Sequence, residues 1–114
     1  MILGIIPDVF AAEILLNNLS EADFNLGDVS LIMRDQALRD KIAKDMGPLK
    51  GVRYDQISTW LVQAGLSAPD AQTYQDAVVQ GKVLAVMDAA SDLVEIVREM
   101  FTDQSGESIT EIKS

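Results

Sequence analysis

Four short stretches of the chain have the apolar pattern of β-strands, and they form two pairs near the two ends. The first is the apolar run over residues 1–6, which Pro7 ends, and the second covers residues 29–33. The other two cover residues 82–87 and 108–112. The near-continuous apolar runs at residues 1–6 and 82–87 favour strands that are buried on both faces, whereas the mixed stretch 108–112 favours an edge strand. The pattern predicts a strand at each place, with the last one at an edge of the sheet.

Within each pair, the two strands are separated by a segment with helical periodicity. Asp8 can cap a helix whose apolar residues recur three and four positions apart as far as about Asp23. In the second pair, Ser91 or Asp92 can begin a helix, and its apolar face contains Phe101. Each end of the chain therefore predicts the order strand, helix, strand.

The segment between the pairs predicts two or three further helices. A short amphipathic helix is expected over residues 35–46, with Gly47 and Pro48 ending it. A second helix is expected to carry Tyr54 and Ile57 on its buried side. A third shows a sharper start signal.

That third helix begins with a near capping box, because Ser67 is followed three residues later by Asp70. Pro69 falls in the first turn, where its missing N–H costs nothing. Gly65 ends the preceding helix, and Gly81 is the expected C-terminal residue of this one.

The fold class that these elements predict is α+β, as one domain over residues 1–114. Its parts are a first βαβ half (1–34), a helical middle segment (35–80) and a second βαβ half (81–114). Two right-handed βαβ halves packed together give a four-stranded antiparallel sheet with helices on one face, the ferredoxin-like arrangement. The middle helices could cover the other face, or two protomers could stack sheet on sheet, and periodicity leaves both open.

Composition narrows the function by exclusion. Of the 114 residues, 18 are Asp or Glu and 9 are Lys or Arg, so the net charge of −9 disfavours nucleic acid and anionic membrane surfaces as partners. The absence of Cys and His excludes disulfides, thiol nucleophiles and the commonest metal ligands. No run approaches the roughly 18 apolar residues of a membrane span. We expect a cytoplasmic protein with no cofactor, no metal and no catalytic residue that can be assigned.

The stretch 64–86, AGLSAPDAQTYQDAVVQGKVLAV, resembles the bacterial heat-induced general stress protein family and related small uncharacterised domains. The shared features are a small residue, Gly and an aliphatic residue, then a capped helix with Ala and Tyr at its centre, then Gly and an apolar strand. The first half, from GIIPD (4–8) to DVSLI (28–32), fits the same family pattern. The resemblance implies a stress-linked bacterial protein of unknown biochemical activity, and it supplies no catalytic residues.

Two groups of residues are candidates for ligand binding. Asp8 and Asp88 follow strands at matching places in the two halves, where they can either meet a polar ligand or cap helices.

The second group forms the densest aromatic and acidic cluster, which can line a pocket between the middle helices and the sheet or simply pack in the core. It consists of Tyr54, Asp55, Trp60 and Tyr74.

Three hypotheses of function remain. The first is a non-enzymatic interaction or regulatory domain, stress-associated, that forms a homodimer or binds a protein partner. The second is a sensor of a small metabolite bound between the helices and the sheet, near Tyr54, Trp60 and Tyr74. The third is a cofactor-free enzyme that uses Tyr54 and Asp55 as its acid and base.

Overall fold

A computed structural model of the protein describes residues 1–112, so Lys113 and Ser114, the end of the predicted second half, lie outside the described residues. The chain has an α+β architecture with a four-stranded antiparallel sheet in the order β2-β3-β1-β4. The strands are β1 (Ile2–Ile6), β2 (Val29–Ile32), β3 (Val83–Met87) and β4 (Glu107–Glu111). All four predicted strands are therefore confirmed, and β4 lies at an edge.

Five α-helices connect and cover the strands: α1 (Val9–Glu21), α2 (Gln36–Ile42), α3 (Ile57–Gln63), α4 (Ala68–Val79) and α5 (Val94–Asp103). A 3₁₀ turn, Leu26–Asp28, leads into β2.

Two of the predicted helix starts are confirmed at the level of atoms. The Asp8 carboxylate accepts a hydrogen bond from the backbone amide of Ala11 at 2.8 Å and so caps α1. The Ser67 hydroxyl accepts one from the amide of Asp70 at 3.3 Å and caps α4. Local sequence signals are reliable here because both partners lie within three residues of each other.

The helix bounds differ from the prediction at three places. Helix α2 ends at Ile42 instead of residue 46, because Ala43 is extended (φ −147°, ψ 154°) and turns the chain toward β2. Helix α3 begins at Ile57, which leaves Tyr54 in the preceding turn. Helix α5 begins at Val94, and no side chain caps it.

The start signals assigned to Ser91 and Asp92 are therefore wrong. Both residues lie in a turn that the amide of Leu93 closes on the carbonyl of Ala90 at 2.8 Å. The backbone satisfies that turn itself, so neither polar side chain is needed as a cap.

Both faces of the sheet are covered. Alternate residues of β1 point to opposite sides: Ile2 and Ile6 join the core under α1 and α5, whereas Leu3 and Ile5 join the core under α3 and α4. Two of the middle helices, α3 and α4, thus occupy the face that the sequence left open, whereas α2 packs against the core on the side of α1. A sheet-on-sheet contact between two protomers has no exposed face on which to form.

The loop after α2 is fastened to the edge of β2. The buried Ser30 hydroxyl donates to the carbonyl of Met46 at 2.6 Å and accepts from the amide of Leu49 at 2.9 Å. Gly47 has φ +85°, and a Cβ atom there would lie 2.6 Å from the carbonyl carbon of Val29. Gly47 is therefore required for close approach to the strand, which differs from the helix-ending role that the sequence predicted for it.

Candidate functional site

A pocket of about 600 Å³ opens at the end of the sheet where β1 and β2 begin and β3 ends. Its volume lies within the range of small-molecule sites. It is lined by Met1, Gly27, Asp28, Gly47, Pro48, Trp60, Ala64, Asp88 and Ile112. Two of the predicted site residues, Trp60 and Asp88, are thus brought together.

Asp28 and Asp88 form the acidic side of the pocket. Val29 of β2 pairs with Met87 of β3, and the next step along this antiparallel ladder places Asp28 opposite Asp88. The amide of Asp88 donates to the carbonyl of Asp28 at 3.0 Å, which continues the pairing beyond the strands. Residues directly opposite each other point to the same face of a sheet, and like charges in that position are destabilising.

No basic side chain offsets this pair within the part of the chain that the structure describes. The ion pairs among residues 1–112 include neither Asp28 nor Asp88. The amino group of Met1 also lies at the pocket, where it donates to the carbonyl of Ile112 at 3.1 Å. Among the described residues that line the pocket, two carboxylates stand against one ammonium, so their summed charge is negative.

Trp60 supplies the aromatic side of the pocket. Its helix, α3, is anchored to the sheet through the fully buried Ile57 and Leu61. Trp60 itself is half-buried and packs partly against the same core. Because the neighbouring residue Leu61 fixes the helix, the position of Trp60 at the pocket is set by core packing.

The loop after α2 forms a further part of the wall. Gly47 and Pro48 line the pocket, and the two hydrogen bonds of Ser30 hold this loop against β2. The sequence predicted only the end of a helix at Gly47 and Pro48.

Tyr74 lies elsewhere, in the contact between α4 and β4. Its hydroxyl donates to the carbonyl of Ser108 and lies 2.9 Å from Oγ1 of Thr110. Burial raises the pKa of Tyr74 above its ordinary value of 10.0. Through this hydrogen bond Tyr74 fastens the edge strand, and it does not line the pocket of Trp60.

The other candidates are also separated from the pocket. Asp8 caps α1 at the opposite end of β1 from Asp88, because Ile6 pairs with Val83 and Ile2 with Met87. Tyr54 is half-buried against the core under α3 and α4, and Asp55 is exposed beside Arg53 at 3.6 Å. The predicted cluster is therefore divided among three places.

Asp28 was not among the site residues that the sequence predicted, because it was interpreted as part of a turn. The signal that could have found it is the strand order, since pairing β2 with β3 places the residue before β2 beside the residue after β3. That order depends on contacts between residues nearly 60 positions apart, which local patterns do not specify.

Residues 1–112 also bear on metal binding and on membrane insertion. No three side chains of the metal-binding types converge there on one point. Nor does any described helix combine the length and apolar character needed to cross a membrane.

Comparisons with protein-family models, with curated proteins and with solved structures gave no match to this chain. The site is therefore interpreted from its own geometry.

Proposed function

We propose that this protein is a non-enzymatic ligand-binding domain that senses a small organic cation in the pocket lined by Trp60, Asp28 and Asp88. The observation that carries the proposal is that Asp28 and Asp88, opposite each other in the backbone pairing and without a basic partner among residues 1–112, line a pocket that also contains an aromatic side chain. A bound cation would neutralise acidic charge that no described ion pair offsets.

The aromatic ring adds selectivity for organic cations over simple metal ions. The face of a Trp ring attracts ammonium and guanidinium groups, with about 0.5 to 2 kcal/mol gained according to how far the contact is desolvated. Carboxylates supply charge-assisted hydrogen bonds to the N–H groups of the same ligand. Primary amines, guanidines and quaternary ammonium compounds all fit this description.

A binding role is favoured over catalysis by the position of the candidate acid and base. Asp55 is exposed and faces Arg53, and Tyr54 lies outside the pocket. A general acid or base acts within hydrogen-bond reach of a bound substrate. Neither residue meets that requirement at the pocket of about 600 Å³.

Two broader parts of the proposal have separate support. The strand order β4-β1-β3-β2 with antiparallel neighbours supports a ferredoxin-like fold. The resemblance of residues 64–86 to the general stress protein family supports a stress-linked, regulatory role in a bacterial cytoplasm. Because both faces of the sheet are covered, a homodimer would form through the helices or through an edge strand such as β4. Sedimentation equilibrium that shows only monomer at high concentration would exclude a homodimer.

A thermal-shift screen tests the ligand. Organic amines and guanidines are compared with their neutral isosteres and with carboxylates of the same size. A cation at 100 times its dissociation constant stabilises the protein by about 2.7 kcal/mol, which raises Tm by on the order of 10 °C for a domain of this size.

Variants then assign the hit to the pocket. Asp28→Asn and Asp88→Asn should weaken binding, while Asp55→Asn, an exposed aspartate outside the pocket, serves as the matched control. The proposal fails if no cation stabilises the protein, or if Asp28→Asn and Asp88→Asn respond to the cation as the wild type does.

A further inference from the structure

A second pocket, of about 460 Å³, lies between α1, β2 and the segment that follows α2. Its floor is apolar, and the six largest apolar residues that line it are Leu16, Leu26, Val29, Leu31, Ile42 and Met46. Val29 and Leu31 are buried strand residues, and the other four are only partly covered. The pocket therefore reaches from the surface down to the sheet.

The gap has a clear structural origin. Helix α2 is only seven residues long, and the chain leaves it at Ala43 in an extended conformation. The extended segment brings Met46 to Ser30 at the edge of β2, so no further helical turn fills the space beside α1. The same contacts that fasten the loop leave the pocket open.

The rim of this pocket is basic, although the chain as a whole carries a net charge of −9. Lys41 and Lys44 are both exposed and both line it. Neither belongs to an ion pair of residues 1–112. Asp40 is the acidic residue of the rim, and its carboxylate already lies 3.7 Å from Nη1 of Arg39.

A shallower groove continues from the pocket along α1, and it contains one more acid. Glu13 lines this groove together with Lys41 but does not line the pocket itself. The strongest attraction for an anion is therefore expected at the Lys44 side, away from Glu13.

We infer that this pocket binds an amphipathic anion, a carboxylate with an aliphatic body, whose chain lies on the apolar floor and whose charge meets Lys41 and Lys44. The inference is independent of the proposed cation site, since the two pockets share no lining residue. A ligand that is purely apolar would leave the two ammonium groups unused. A ligand that is purely ionic would leave the apolar floor exposed to water.

Decanoate is a suitable probe, with decanol as its uncharged counterpart and decylammonium as its opposite in charge. Binding to the full chain is measured by isothermal titration calorimetry and located by amide chemical-shift changes in ¹H–¹⁵N spectra. Saturable binding of decanoate is expected, with the shifts centred on residues 41–46 and 26–31. Each methylene removed from the probe should weaken binding about twofold to fourfold.

Variants separate the two halves of the recognition. Replacing both lysines, Lys41→Gln with Lys44→Gln, should weaken decanoate at least fivefold, and Lys50→Gln, an exposed lysine outside the pocket, should leave it unchanged. Ala43→Leu should fill the floor and abolish binding while both lysines remain. Unfolding curves of each variant establish that a loss of binding is not a loss of fold.

Three results would overturn the inference. The first is decanoate that shows no saturable binding to the wild type. The second is decanol or decylammonium that binds as tightly as decanoate. The third is a set of shift changes that lies away from the pocket, or that the paired lysine replacement leaves unaltered.

Discussion

Asp28 and Asp88 lie directly opposite each other at the end of the β2-β3 ladder, with the amide of Asp88 donating to the carbonyl of Asp28 at 3.0 Å. The backbone pairing thus places two acidic residues opposite each other at one pocket, and no described ion pair neutralises them. A domain selected for stability alone would gain by replacing one of them. The arrangement is typical of a site in which binding is gained at some expense of stability.

The first prediction is that Asp88→Asn stabilises the ligand-free protein. Removal of one like charge from the opposed pair is expected to raise the free energy of unfolding by a few tenths of a kcal/mol at low ionic strength. Urea denaturation at 10 mM salt measures the gain, which should shrink at 0.5 M salt as the repulsion is screened. Asp55→Asn, whose charge faces Arg53, should show no gain. A gain at Asp88 that is independent of salt would contradict repulsion as the cause.

The second prediction concerns Asp45. Its carboxylate accepts hydrogen bonds from the amide of Gly51 at 3.0 Å and from Nη2 of Arg39 at 2.7 Å. These contacts, the Gly51 hydrogen bond first and the Arg39 one second, lower the pKa of Asp45 below its ordinary value of 3.8. A depressed folded-state pKa adds stability that is fully present above pH 3.8 and is lost as the pH falls through the folded value.

Asp45→Asn is therefore expected to be less stable than the wild type at pH 7 by up to about 1 kcal/mol, a small figure because the Asp45 side chain is 43% exposed. The difference should narrow as the pH falls below 3.8. Urea denaturation at pH 7 and at pH 3 measures it. Asp40→Asn, with its carboxylate 68% exposed and 3.7 Å from Arg39, is the control and should show a smaller difference at pH 7. If the difference in the free energy of unfolding between Asp45→Asn and the wild type is the same at both pH values, the lowered pKa of Asp45 does not contribute to stability.

The third prediction compares two glycines with the same backbone conformation. Gly47 and Gly51 have φ +85° and +80°. A Cβ atom at Gly47 would lie 2.6 Å from the backbone of Val29, whereas a Cβ atom at Gly51 would meet no atom within 4 Å. Gly51→Ala is expected to cost about 1 kcal/mol for the left-handed conformation alone. Gly47→Ala adds the displacement of the loop from β2 and should cost 2 kcal/mol or more. Equal costs in urea denaturation would show that close approach plays no part.

The elements that could be predicted from the sequence are those whose signals are local. Strands β1 and β3 are short apolar runs, and the caps of α1 and α4 join residues three positions apart, at Asp8 and Ser67. The end of α2 could not be predicted in this way. The chain leaves the helix at Ala43 so that the carbonyl of Met46 can accept from Ser30, a tertiary contact 16 residues away.

The candidate site was predictable only in part, for a related reason. Trp60 and Asp88 were both identified, but their meeting in one pocket depends on the middle helices covering the second face of the sheet. Tyr74 has helical spacing like any core residue, and its hydroxyl contact to Ser108 is 34 residues away. Strand order and helix placement are set by such distant contacts, so the sequence listed candidate residues without showing which of them share a site.

The last prediction concerns that contact between Tyr74 and the edge strand. Ser108 has φ +52°, a left-handed conformation that is costly for a residue with a side chain, and the pairing of β1 with β4 is irregular at this place. The Tyr74 hydroxyl donates to the Ser108 carbonyl and so stabilises the distorted strand. Tyr74→Phe keeps the ring in the core but removes the donor, with an expected cost of about 1 kcal/mol. Amide hydrogen exchange should become faster in residues 107–111 while β3, in the centre of the sheet, keeps its protection.

The matched control is Tyr54→Phe, since Tyr54 is a half-buried tyrosine in the turn before α3. This replacement should leave the stability and the exchange rates unchanged. If exchange in β4 responds equally to both replacements, the hydroxyl of Tyr74 does not hold the edge strand.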